Sequence, residues 1–298
     1  MKKIILFIFL ITISKPIYAT PITSQLYIPE AGKMLNTLIF ANKQNKSNNI
    51  QQIKALSLDL NGLFGLTETL SLHYNLEYVF NAKQEYEPKN QSSEFNYYYI
   101  GFINRMFEND FSMVDVEVNV GENELRFYGI APKITPTINA NIKYGLNFEY
   151  YNIGFSIGTE FFDKYTKKRN EFLTDTQDKM INYLFSLENE VVLLNILTIN
   201  FNFYYKWNDD IINDYTNTKE GEEIIYENKY KLKDNFRLNT SINYSITPNN
   251  YIGLYYEYEY FKLNYTQTTT QSSSNISRKY NESKIKIHSF GARLTTYF

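Results

Sequence analysis

The chain has 298 residues and no cysteine, so no disulfide framework holds it together. Its formal net charge is −2, which excludes the strongly basic surface that nucleic-acid binding needs. There are 28 Tyr and 22 Phe against a single Trp, yet the mean hydropathy is −0.41. A chain that is aromatic and polar together suits a sheet with one face in lipid and the other in water.

The first 19 residues follow the plan of a secretory signal peptide. Lys2 and Lys3 form a short basic region, Ile4 to Ile13 an apolar run, and Ile17-Tyr18-Ala19 a cleavage site after Ala19. The apolar run is too short to cross about 30 Å of hydrocarbon as a helix. The mature chain is therefore expected to span 20–298. No later stretch has about 20 consecutive apolar residues. If this chain crosses a membrane it must do so as a closed barrel, because only helices and closed barrels satisfy their backbone hydrogen bonds in lipid.

Strict alternation begins near residue 50 and recurs to the end. Leu70, Leu72, Tyr74, Leu76, Tyr78 and Phe80 alternate with Ser71, His73, Asn75 and Glu77. Val114, Val116, Val118 and Val120 alternate with Asp115, Glu117 and Asn119, and Ile138 through Phe148 repeats the scheme. So do Leu197 to Tyr205, Phe236 to Tyr244 and Ile252 to Tyr260. Successive side chains of a strand point to opposite faces, so each segment presents one apolar and one polar face. Many of these segments run to about 11–14 residues, near the length that crosses a bilayer on a tilt, against about five or six for strands of soluble proteins.

Candidate strands fall at 34–41, 53–64, 68–80, 94–106, 110–120, 124–134, 138–150, 153–163, 178–190, 196–207, 229–245, 250–265 and 282–298. Short connections at Gly65–Glu68, Phe107–Asp110 and Thr247–Asn250 alternate with long polar ones near 42–50, 82–93, 163–177, 208–224 and 266–281. This is the asymmetry of an outer-membrane barrel, with short turns at one end and long loops at the other. The 266–281 segment, poor in apolar residues, reads as a mobile loop. The candidate strands are odd in number, whereas bacterial single-chain barrels have an even count. The conflict lies between 124 and 163. The fold expected is all-β, a transmembrane antiparallel up-and-down barrel of about 12 strands, with 14 as the alternative.

In the last strand Phe290, Ala292, Leu294, Thr296 and Phe298 share one face. A final alternating strand ending on Phe resembles the sorting signal of bacterial outer-membrane β-barrel proteins. That resemblance implies an outer-membrane location, passage through the secretion translocon, and reading of Phe290, Leu294 and Phe298 by the barrel-assembly machinery. Thr296 stands where the family commonly has an aromatic. A narrower resemblance covers about residues 94–298. The run NDFSMVDVEVNVGENELRFYGIAPKI, followed by INANIKYGLNFEYYN, is similar in strand length and layout to the middle of the oligogalacturonate-specific porins. It implies a monomeric barrel of about twelve strands that passes acidic oligosaccharides.

With the apolar face in lipid, the polar face lines the lumen. The expected inward acids are Asp59, Glu77, Asp115, Glu117, Glu149, Glu160, Glu188, Glu190, Glu257 and Glu259, and the inward bases are Arg126, Lys143, Lys206, Arg237 and Arg293, with His73 among them. Carboxylates in excess attract cations, whereas a pore built for acidic sugars should be lined by Arg and Lys. Strand phase therefore argues against the narrower resemblance. The same charges could instead pair across strands and fill a narrow barrel. Tyrosines near strand ends (97–99, 150–151, 204–205, 255–256) suit outward girdles, with Tyr204 and Tyr255 as inward exceptions.

Enzyme chemistry has little to work with. His73 and His288 are the only histidines, and His288 and Ser289, adjacent on a strand, must face opposite ways. No metal-ligand cluster, phosphate loop or GxSxG motif is present, and no cofactor is implied. The expectation is a porin or channel for passive diffusion of small hydrophilic solutes, oligosaccharides among the candidates, non-selective or weakly cation-preferring. The alternative is a surface protein, an adhesin or structural barrel, acting through its long outer loops. Lipid is the expected environment, and no segment reads as a subunit contact.

Overall fold

The computed structural model describes residues 26–47, 53–84, 92–123, 135–148, 150–170, 173–177, 179–193, 196–208, 210–219, 222–271, 274–279 and 282–298. The expected signal peptide, Arg126 and Glu149 lie outside the described residues. Every regular element among them is a strand. In chain order these are β1 (Met34–Ser47), β2 (Ile53–Gly65), β3 (Leu70–Gln84), β4 (Ser92–Glu108), β5 (Ser112–Asn123), β6 (Thr135–Asn147), β7 (Tyr151–Phe162) and β8 (Tyr165–Asn170). They continue with β9 (Leu173–Gln177), β10 (Met180–Leu193), β11 (Leu197–Trp207), β12 (Asp210–Lys219), β13 (Glu222–Thr247), β14 (Asn250–Gln271), β15 (Ser274–Lys279) and β16 (Ser283–Tyr297).

Twelve of these strands close an antiparallel ring. The order runs β1 to β7, then β10, β11, β13, β14 and β16, and β16 returns to β1. The seam is tight at its lower edge: Met34 N donates to Phe298 O at 2.7 Å and Phe298 N to Met34 O at 3.0 Å. The even count settles the 124–163 conflict. The candidate strand at 124–134 lies outside the described residues, but β5 and β6 on either side pair directly, Ser112 with Leu146 through to Asn123 with Thr135. The ring closes at twelve without it.

Phase follows the alternation. Ile100, Phe102, Ile142, Ile157, Phe201, Leu254 and Phe290 all stand on the outer surface, Ile157 at 69% exposure. On an isolated soluble protein so broad an apolar belt would drive aggregation; on a barrel it is the hydrocarbon-facing surface. The interior is the inverse of a globular core. Glu77, Asn152, Asn182, Asn243 and Thr295 are among its most buried side chains.

The long-loop end departs most from the sequence expectation. Polar stretches read as loops at 42–50, 163–177, 208–224 and 266–281 are largely strand. β1 runs on to Ser47. β14 continues to Gln271 and turns back as β15, with Thr266 opposite Lys279, so the segment expected to be a mobile loop is a hairpin. Above a bulge at Lys233–Phe236, where Asp234 adopts φ 52°, β13 and β14 leave the ring together. They join a six-stranded wall, β8-β9-β12-β13-β14-β15, that rises over one sector of this end. These segments lack a strict apolar–polar alternation in sequence, so the pattern stops while backbone pairing continues.

Candidate functional site

The inward faces of all twelve ring strands enclose a cavity of about 520 Å³. Asp59, His73, Glu77, Glu117, Lys143, Glu160, Glu188, Lys206, Arg237, Glu257, Glu259 and Arg293 are on its wall. Asp115 also points inward, buried below the cavity near the short turns. Glu190 is also buried, on a second, much smaller void lined in part by Leu26.

Most of these charges are paired. Lys143 Nζ lies 3.0 Å from Glu188 Oε2, joining β6 to β10 across β7. Lys206 pairs with Glu160, and Lys43 with Glu77. Asn182 Nδ2 donates to Glu160 at 2.8 Å and Asn152 Nδ2 to Glu190 at 2.9 Å. On the facing sector, His73 Nδ1 is 2.8 Å from Glu117 Oε1, and Asn119 Nδ2 donates to the same oxygen at 2.5 Å. Arg237 lies 4.5 Å above the Tyr204 ring and 3.7 Å from Glu257, which also accepts the Tyr255 hydroxyl at 2.7 Å. Arg293 donates to Ser241 Oγ at 3.1 Å. A network this connected fixes its side chains on the wall, because a charge removed from water stays ionised only with partners.

Strand phase missed several wall residues. Lys43 lies in the part of β1 taken for a loop. Arg105 is buried on β4, with Nε 2.9 Å from Asp115 Oδ1 and Nη2 3.2 Å from Oδ2. Tyr97 and Tyr99 face the lumen, a correction to their expected place in the outward girdle. Tyr97 donates to Asp59 Oδ2 at 3.0 Å. A run of three tyrosines carries no alternation of its own, and its phase has to be read from the residues that follow it on β4. The usable signal was Ile100 and Phe102, which fix odd numbers inward. Tyr204 and Tyr255 line the cavity.

The two ends of the lumen differ. At the long-loop end, Ile53, Val79, Phe162, Met180, Leu232, Phe261 and Ile285 belong to one buried apolar cluster that roofs the cavity. Tyr230 packs against it and stacks on Tyr265, with ring centroids 4.9 Å apart. Burial, with Tyr265 beside it, pushes the Tyr230 hydroxyl up to about 12, so it is neutral at physiological pH. At the short-turn end the floor is Leu35, Leu63, Ile103 and Tyr27, the last contributed by the chain ahead of β1.

Outside the lumen, His288 stands on the outer face against Tyr256 and Tyr258, while Ser289 is fully buried inside. The two are on opposite sides of the wall. Phe290, Leu294 and Phe298 all face outward. Among the described residues no group of three or more His, Asp or Glu side chains is arranged to hold a metal ion.

No protein-family model matches the sequence, and no curated protein matches it. Solved structures do match. An outer-membrane channel of Pseudomonas putida F1 is 11% identical, with 91% of this chain and 97% of that chain covered and a TM-score of 0.53. The outer-membrane protease OmpT of Escherichia coli is 12% identical, covering 92% and 100%, with a TM-score of 0.44. The monoaromatic hydrocarbon channel CymD is 9% identical, covering 91% and 89%, with a TM-score of 0.46. At such identities the likeness is one of fold. The fold is that of a closed, twelve-stranded β-barrel of the kind found in bacterial outer membranes.

Proposed function

We propose that this protein is an outer-membrane channel that passes small hydrophilic solutes by diffusion, with its short turns in the periplasm and its long-loop wall outside. The observation that carries the reading is the polar cavity of about 520 Å³ on which all twelve ring strands place side chains. A barrel that served only as a scaffold would gain nothing from keeping so many ionised groups around an open volume. Among the described inward residues there are nine acids (Asp59, Glu77, Asp115, Glu117, Glu160, Glu188, Glu190, Glu257, Glu259) and six bases (Lys43, Arg105, Lys143, Lys206, Arg237, Arg293). The excess favours a weak preference for cations and argues against acidic oligosaccharides as the main cargo. Neutral sugars fit better, with Tyr97, Tyr99, Tyr204 and Tyr255 offering ring faces inside.

The test is conductance of the purified protein in planar bilayers under a KCl gradient. Discrete current steps with a reversal potential displaced modestly toward potassium are expected. Clear anion selectivity would overturn the charge argument, and a silent barrel would overturn the channel reading. The six-stranded wall favours one second reading, a surface protein that engages other molecules through its rim. A silent barrel whose isolated wall hairpins bind a surface ligand would support that reading instead.

A further inference from the structure

Residues 26–33, just ahead of β1, do not hang free of the barrel. Gly32 N donates to Gly65 O at 2.8 Å, Gly65 N to Lys33 O at 3.0 Å, and Lys33 N to Glu30 O at 3.0 Å. These bonds pin residues 30–33 to the lower end of β2. The backbone at Gly65 has no side chain, and the carbonyls of Pro29 and Glu30 occupy the space a Cβ would take. From there the chain crosses the mouth. Tyr27 sets its ring edge-on to Tyr297 at 5.8 Å and forms part of the cavity floor.

Leu26 is only 2% exposed and sits against β6 and β7. In the ring order β7 is six strands from β1 in either direction, so the segment spans the barrel from wall to opposite wall. Its landing site is built to receive it. Gly145 and Gly154 are register partners on β6 and β7, and a Cβ on either would meet a Leu26 methyl at 2.9 or 3.0 Å. Arg105 Nη2 donates to the Leu26 carbonyl at 2.5 Å. That arginine is already held by Asp115 through two contacts and by Glu108 at 3.1 Å. Leu26 can therefore leave without stranding a buried charge, the usual penalty for opening an ionic contact. The anchor of residues 29–33 on Gly65, with Gly32 at φ 76° in its turn, stays when the latch opens, so the stretch that swings runs from Leu26 to Ile28.

We infer that residues 26–28 form a strap closing the short-turn mouth, anchored through residues 29–33 on β2 and latched by Leu26 between Gly145 and Gly154, and that solute passes when the latch is released. This rests on the channel reading. A static cork of the same residues would need only packing. A short stretch beside a fixed anchor, and a latch whose partner stays satisfied without it, describe a part that moves.

The chain has no cysteine, so a Leu26→Cys, Gly154→Cys double variant carries the only two thiols. Mass spectrometry reports whether they join, and heat-modifiable migration in gels reports whether the barrel has closed. In planar bilayers the oxidised form is expected to lose conductance and the reduced form to regain it. Equal conductance in both states overturns the strap while leaving the channel reading intact. If neither the reduced form nor the wild type nor Leu26→Ser conducts, the channel reading fails and the strap with it. If the cystine does not form, Gly154→Leu asks the same question by filling the latch site. Its conductance should then rise to match that of Leu26→Ser, and a value unchanged from wild type overturns the proposal.

Discussion

The two ends of the lumen are closed by opposite physics. The long-loop end is roofed by apolar side chains from seven ring strands, β2, β3, β7, β10, β13, β14 and β16, so the roof moves only if the wall dilates. Apolar side chains offer water few hydrogen-bond partners, so such a constriction lowers the flow of ions without sealing the lumen. The short-turn end is crossed by a peptide segment resting on an ion pair, Arg105–Asp115, among hydrogen-bonding groups. Its closure can be removed without disturbing any ring strand. Blocking a barrel thus does not need a separate domain. A few inward apolar residues suffice at one mouth, and a few residues ahead of the first strand at the other.

The largest effect of a single substitution is expected at the short-turn end. Arg105→Ala leaves Asp115 buried without its cation, and unfolding in urea should show a loss of about 3–5 kcal/mol together with looser closure by the strap. Phe261→Ala at the opposite end opens a void in the roof. A loss of about 3 kcal/mol is expected, with higher single-channel conductance than wild type. If conductance does not change, the apolar roof is not a constriction. Between the ends, Lys143→Gln removes a cation from the wall beside Glu188. Its main effect should be electrical, a reversal potential moved further toward potassium, with a stability change nearer about 1 kcal/mol because the pair borders the cavity rather than lying in a dry core. The smallest effect belongs above the bulge. Lys262 Nζ lies 2.5 Å from Asp234, but water screens the pair, so Lys262→Ala should leave both the urea midpoint and the conductance at their wild-type values.

Legibility in the sequence followed contact with lipid. In β5, Val114 to Val120 must face hydrocarbon on one side, so every other residue announces its phase, and the alternation alone places Asp115, Glu117 and Asn119 inside. The same held for β14, with Glu257 and Glu259. At Asn42–Ser47 of β1 every side chain is polar, inward Lys43 and Asn45 as well as outward Asn42 and Lys46, so the pattern stops. Lys43 was lost for that reason. Arg105 was lost for another. Ile103 on its own face and Asn104 on the opposite one invert the polarity that the rest of β4 obeys, because the floor of the cavity is apolar there. The roof went unseen in the same way. Phe162 and Met180 at strand ends look lipid-facing until their phase is counted through the ring.

By itself, the sequence determined the closed barrel, its strand directions and most of its polar lining, because lipid imposes a two-residue period that no side-chain accident can hide. It could not determine what the lining does. Pairing of Lys143 with Glu188 spans an intervening strand, the roof joins residues more than two hundred positions apart, and Leu26 reaches Gly145 and Gly154 across the width of the barrel. These contacts depend on the ring closing at twelve strands and on its tilt, and such global quantities leave no local mark in the order of residues.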